Sequence, residues 1–124
     1  MSRSRSLESG RRWESFAAAW LTERGLRILT QGYRCRLGEI DLIAADATHL
    51  VIVEVRARRS SRFGRALETV GLTKQQRIVR ATRHYLMRHP SAMRLPLRFD
   101  VLAIDRIDAS EPEVTWVRNA FDAA

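Results

Sequence analysis

Two runs rich in Ile and Val, residues 40–44 and 50–57, stand only a short polar turn apart, around residues 46–48. β-Branched residues favour extended backbone, so the pair predicts a hairpin. Just upstream, Tyr33, Cys35 and Leu37 alternate with Arg34 and Arg36, the period-2 pattern of a strand with one buried face. Three successive strands are therefore the frame around which the chain must fold.

Helical spacing flanks that frame. From about Leu7 to Arg24, the apolar residues Trp13, Phe16, Ala17, Trp20 and Leu21 recur on one helical face, and Gly25 follows as a C-terminal stop. A second helix is expected from about Lys74, where Thr73 and Gln76 match a capping box, to about Arg88, before His89 and Pro90 end it. Its apolar stripe is Ile78, Thr82, Tyr85 and Leu86. Two more strands are expected at 97–104 and 114–117, whereas residues 58–65 read as an arginine-rich loop and residues 1–6 as a disordered basic start. The order α, three strands, α, two strands predicts an α/β fold. We expect one three-layer domain over residues 1–124, with a central mixed sheet of about five strands flanked by helices. The second helix serves as the crossover that brings in the fourth strand in parallel. A chain of 124 residues suits one core, and 45% apolar content excludes a disordered tail.

The longest apolar run, residues 16–21, is far short of the roughly 20 residues needed to cross a bilayer, and the polar start has no signal-peptide core. A cytoplasmic protein without membrane contact is expected. Cys35 is the only cysteine, which excludes an internal disulfide, and it is expected to pack. Twenty-two basic against 14 acidic residues give a net charge of +8, which predicts attraction to polyanions and makes DNA the expected partner. Lys74 is the only lysine; the other 21 basic residues are arginines, which suit bidentate phosphate contact and equally fit a coding bias. Arg58, Arg59, Arg62 and Arg65, together with Lys74, are the candidate nucleic-acid contacts. Arg77, Arg80, His84 and Arg88 read as solvated helix surface, and His49, His84 and His89 as solvated histidines.

Acidic chemistry concentrates on the hairpin. Asp41 lies near the start of one strand, and Glu54 and Arg56 follow on the next. Residues at i and i+2 of a strand share a face about 6.6 Å apart, so Glu54 and Arg56 point one way while Val53 and Val55 enter the opposite layer. If Asp41 and Glu54 meet across the hairpin, their oxygens can hold Mg²⁺ or Mn²⁺, polarise a phosphodiester and activate water. An exposed strand face with a cross-strand ion pair would show the same pattern.

The segments GEIDLI (38–43), VEVR (53–56) and RFDVLAI (98–104), with NAF at 119–121, resemble the YraN-like family of small bacterial proteins over about residues 11–121. That family is assigned to the PD-(D/E)XK nuclease superfamily and is similar to archaeal Holliday junction resolvases. The resemblance implies a restriction-endonuclease-like fold and a Mg²⁺- or Mn²⁺-dependent endonuclease acting on DNA, including branched or repair intermediates. It sets Asp41 at the metal-binding aspartate, Glu54 at the second acidic position and Arg56 where lysine is usual, which is a departure. Ile40 stands in the place of the superfamily's proline. Glu14, on the first helix, matches a position used as a further ligand, and Gln75, at the start of the second helix, matches a site glutamine of some branches. Asp100 reads as a fold-specific hydrogen-bonding residue. The alternatives are a DNA-binding module of the same fold that no longer cleaves efficiently, and an interaction subunit with an acidic partner. Symmetric cutting of a four-way junction would call for a homodimer.

Overall fold

Both helices lie against a five-stranded sheet whose spatial order is the order of the chain, in a computed structural model that describes residues 2–59 and 70–123, with side chains from residue 10 on. The elements are α1 (Ser2–Thr22), β1 (Arg27–Cys35), β2 (Gly38–Ala45), β3 (Leu50–Arg58), α2 (Leu72–Arg88), a 3₁₀ turn (Pro90–Arg94), β4 (Leu97–Asp105) and β5 (Glu113–Phe121). β1–β2, β2–β3 and β4–β5 pair antiparallel, and β3–β4 pairs parallel across the α2 crossover. This is the predicted mixed-sheet α/β fold.

The three layers follow from alternation on the central strands. Leu42, Ala44, Val51, Val53 and Leu102 face α1, where Ala17 and Ala18 let the helix approach closely beside Leu21. Ile43, Ala45, Leu50, Ile52 and Phe99 face α2 and meet Ile78, Val79, Ala81 and Tyr85. β3 is covered on both faces, which is why it opens on an unbroken apolar run. Gly25, at φ +100°, ends α1: Leu26 N–H donates to the Leu21 carbonyl and Gly25 N–H to that of Thr22, the paired bonds of a Schellman stop. Asp46 shapes the β2–β3 turn by accepting from the Thr48 and His49 backbone N–H groups, both at 2.8 Å.

Several boundaries differ from the sequence expectation. α1 starts at Ser2, so the stretch expected to be disordered has helical backbone. β1 starts at Arg27 and ends before Leu37, which lies in the turn to β2; as an edge strand, it pairs only with β2 and shows little apolar alternation in its first half. α2 is capped by Gly71 without a side-chain bond, and Thr73 already lies within its first turn, so the predicted capping box does not form. The histidines also have partners, although His89 is exposed as expected and only His49 and His84 are half-buried. His84 Nδ1 is 2.5 Å from Tyr33 Oη, His49 Nδ1 is 2.9 Å from Thr48 Oγ1, and His89 stacks on Tyr85. Cys35 packs, half-buried, against the α2-side core. Among the described residues, no helix is long and apolar enough to cross a membrane.

Candidate active site at the splayed ends of β2 and β3

The ladder between β2 and β3 runs from Ala45↔Leu50 to Leu42↔Val53 and stops there. Beyond it the Asp41 carboxylate takes over the role of a backbone acceptor: its Oδ2 receives Val55 N–H at 2.8 Å. The two strands part where the acidic residues sit. The β1–β2 register sets Gly32, at φ +66°, opposite Asp41. Ile40 packs on the α2 side and Leu42 on the α1 side, although residues two apart on a regular strand share a face. This local irregularity turns Asp41 into the gap between the layers.

Three carboxyl groups meet there from three elements. Glu14 of α1 and Glu54 of β3 each come within hydrogen-bonding contact of Asp41 on β2. Two carboxyl groups can share a hydrogen bond only if one carries a proton. Burial first, and the neighbouring Asp41 second, raise Glu14 to about 7 and Glu54 to about 8. Glu54 is only 3% exposed, and Lys74 Nζ of α2 lies 2.8 Å from its Oε2, with Arg56 Nη1 at 3.8 Å. Lys74 pulls the Glu54 value down without offsetting burial. Lys74 Nζ is the nearest cationic group to Glu54 Oε2, although its approach is poorly aligned for a hydrogen bond. The cleft has a volume of about 410 Å³ and is lined by Glu14, Gly32, Arg34, Asp41, Arg56 and Lys74, among others.

The sequence-predicted residues divide cleanly. Asp41, Glu54, Arg56 and Glu14 converge, and Glu54 and Arg56 share a face as their i, i+2 spacing requires. Gln75 does not join them. Its Nε2 donates to the Val70 carbonyl at 3.1 Å, and it lines a separate concavity with Leu72, Val79 and Asp122. One residue along the helix is a rotation of about 100°, which aims Lys74 into the site and Gln75 away from it. Arg58 is half-buried at the end of β3, where its carbonyl accepts Ile107 N–H, and Arg59 is exposed. Arg62 and Arg65 lie outside the described residues. Sequence reasoning missed Gly32 and Arg34, because only the β1–β2 pairing brings them to the cleft. The signal for Lys74 was its isolation among arginines. Among the described residues, no group of three or more His, Cys, Asp or Glu side chains is arranged to hold a metal ion.

Comparison with known proteins sets this site in a bacterial family. The model of "Uncharacterised protein family UPF0102" matches residues 13–104, a span that holds Glu14, Asp41, Glu54, Arg56 and Lys74. The chain belongs to the UPF0102 family. It is 43% identical over 116 residues to a UPF0102 protein of Legionella pneumophila, covering 94% of this chain and 96% of the relative. A UPF0102 protein of Nitrosococcus oceani is 43% identical over 114 residues, covering 92% and 91%, and one of Methylococcus capsulatus is 43% identical over 115 residues, covering 93% and 91%. The similarity thus spans more than nine-tenths of this UPF0102 chain and of each of these relatives.

Proposed function

We propose that this UPF0102 chain is a metal-dependent nuclease-fold protein that hydrolyses phosphodiesters in DNA, including branched or repair intermediates. The observation that carries the reading is the convergence of Asp41 and Glu54 beside Lys74 and Arg56, with Asp41, Arg56 and Lys74 lining a cleft open to solvent and Glu54 buried behind it. Net charge of +8 supplies the long-range attraction for a polyanion that bare carboxylates would repel.

The donor set fits a hard divalent cation. Mg²⁺ and Mn²⁺ take carboxylate oxygens and readily complete their shell with water and phosphate oxygens, so two carboxylates suffice where no larger acidic cage exists. Asp41 and Glu54 would hold the ion, and the raised proton affinity of Glu54 is the mark of a crowded acidic pair that a cation would relieve. When bound, such an ion polarises a phosphoryl oxygen and acidifies water. The chain's own groups would do the rest. Arg56 would supply charge and hydrogen bonds to the phosphate but cannot accept a proton, whereas Lys74 would take up the positioning role usually given to the lysine that Arg56 replaces. Glu14, titrating near neutrality, is suited to exchange a proton with solvent.

A second reading is favoured by Arg56 itself: a module of the same fold that binds DNA and cleaves it slowly or not at all. One assay separates the two. Purified protein is incubated with linear, flap, fork and four-way DNA, with Mg²⁺ or Mn²⁺ and with chelator. Cleavage that disappears in chelator and in Asp41→Asn supports the nuclease; DNA binding with no cleavage under any condition supports the second reading. Activity lost in Lys74→Ala with no gain in Arg56→Lys would assign the lysine role to α2.

A further inference from the structure

A second concave region begins where the acidic cleft ends. Two surface hollows of about 760 and 700 Å³ run between α2 and the β1–β2 turn, and both are lined by Arg34, Cys35, Arg36 and Leu37. The first shares Arg34, Glu39 and Lys74 with the acidic cleft and reaches Arg77; the second reaches His84 and Arg88. Arg34 lines all three hollows, which stand in series as a trough narrowed where Gly38 meets the Arg77 backbone. Its outer arm carries Lys74, Arg34, Arg36, Arg77, Arg88 and His84 against a single lining carboxylate, Glu39, which Arg34 Nε already approaches at 3.4 Å.

The walls are fixed in place. A Cβ at Gly38 would lie 2.8 Å from the Arg77 carbonyl oxygen, so the absence of a side chain lets the β1–β2 turn sit directly on the α2 backbone. Tyr33 Oη bonds His84 across the same seam at the far end. At about 100° per residue, Lys74, Arg77, His84 and Arg88 occupy one sector about 80° wide, flanking the buried stripe. From Lys74 to Arg88 that row is about 21 Å long, as long as about six base steps of a duplex at about 3.4 Å of axial rise each, and long enough to meet about three or four successive phosphates of one strand. The other α2 arginines, Arg80 and Arg83, line a different hollow that also contains Asp122.

We propose that this trough is the track along which one nucleic-acid strand leaves the acidic cleft, its phosphates held by Arg36, Arg77 and Arg88. The assignment rests on the reading of the cleft as a DNA site and adds the direction of the strand. Repeating cations with a single lining carboxylate, Glu39, already beside Arg34, suit a repeating anion, and the close seating of the turn on α2 spares the ordering of a loop on binding.

The decisive comparison keeps helix, residue type and charge loss constant. Binding of a fluorescein-labelled duplex and a labelled four-way junction is followed by anisotropy in chelator, so that no cleavage intervenes. Arg77→Ala with Arg88→Ala is expected to weaken binding by about tenfold and to flatten the dependence of log K on log salt by about 2, because two phosphate contacts are lost. Arg80→Ala with Arg83→Ala is expected to change affinity by less than about twofold. All four arginines are exposed, and unchanged melting temperatures will show that both variants fold. Equal losses in the two variants would mean that net charge alone binds DNA, and would overturn the track. A native protein that binds DNA through Arg77 and Arg88 but never cuts refutes the nuclease reading and leaves the track standing. One that cuts while the Arg77/Arg88 variant binds and cuts like the native chain refutes the track alone.

Discussion

Two carboxylates sit buried on neighbouring parallel strands, and the molecule treats them in opposite ways. Asp100 of β4 is fully buried and fully satisfied: Arg98 donates from Nε at 2.9 Å and from Nη2 at 3.0 Å, Trp116 Nε1 at 2.8 Å, and Asn119 N–H at 2.9 Å. Glu54 of β3 is 3% exposed and is shared between unlike neighbours: Lys74 Nζ at 2.8 Å and Arg56 Nη1 at 3.8 Å from its Oε2, and a second carboxyl group, Asp41. A buried charge with a complete set of donors holds the fold together, here by tying the end of β5 to β4 and fixing Asn119 at φ +53°. A buried carboxyl group crowded by another carboxyl resists ionisation up to about pH 8, and is poised to accept a cation that relieves the crowding. Burial alone would not have told the two apart.

The largest effect that can test this contrast is at Asp100. Asp100→Ala removes the shared acceptor of the Arg98 guanidinium, the Trp116 N–H and the Asn119 N–H, leaving Arg98 only the longer contact to Asp46, and should lower stability by about 3–5 kcal/mol, read by urea unfolding. A loss below about 1 kcal/mol would remove Asp100 from its structural role. Next in size is cation binding. At pH 8, Mn²⁺ at about 100 times its Kd should stabilise the native chain by about 2.7 kcal/mol and raise Tm in proportion, with most of that gain missing in Asp41→Asn. An equal gain in both chains would place the ion elsewhere.

Glu54→Gln probes the cost of the crowded site, and its sign depends on pH. Glu54 releases its proton near 8 in the folded chain against an ordinary value of 4.5, so folding takes up a proton between those values. The stability this confers is fully present below about pH 4.5 and is lost as pH rises through 8. The amide removes that titration. The variant should match the native chain near pH 5 and exceed it by at least about 1 kcal/mol at pH 9 in chelator, measured by urea midpoints at both pH values. A native chain that is equally stable at both would contradict the crowding. The smallest change is expected at Gln75, whose side chain bonds only a local carbonyl: Gln75→Ala should alter stability by less than about 0.5 kcal/mol and leave any cleavage unchanged. A large loss of activity there would return Gln75 to the site.

Much of the site was legible because strand periodicity is simple. Once residues 50–57 are a strand, Glu54 and Arg56 must share a face, and a hairpin must bring Asp41 near them. Helix phase was harder to read, since an error of one position rotates the face by about 100°, and that error separates Gln75 from Lys74. The capping box failed for a related reason: Gly71 and the packing of Ile78 and Val79 start the helix earlier than the Thr73 signal implies.

The amino-acid sequence by itself determined the element order, the mixed sheet, the hairpin with its acidic pair and the surplus of positive charge, because each depends on local propensity, short-range spacing or composition. Tertiary structure alone decided that Glu14, about 27 positions before Asp41, would press against it, that Gly32 would open the gap opposite it, and that Lys74 would reach Glu54 across a layer. It also decided which arginines of α2 would line a trough and which would not. Such contacts join residues from different layers, and their proximity follows from how the helices dock on the twisted sheet rather than from any period that a single chain can display.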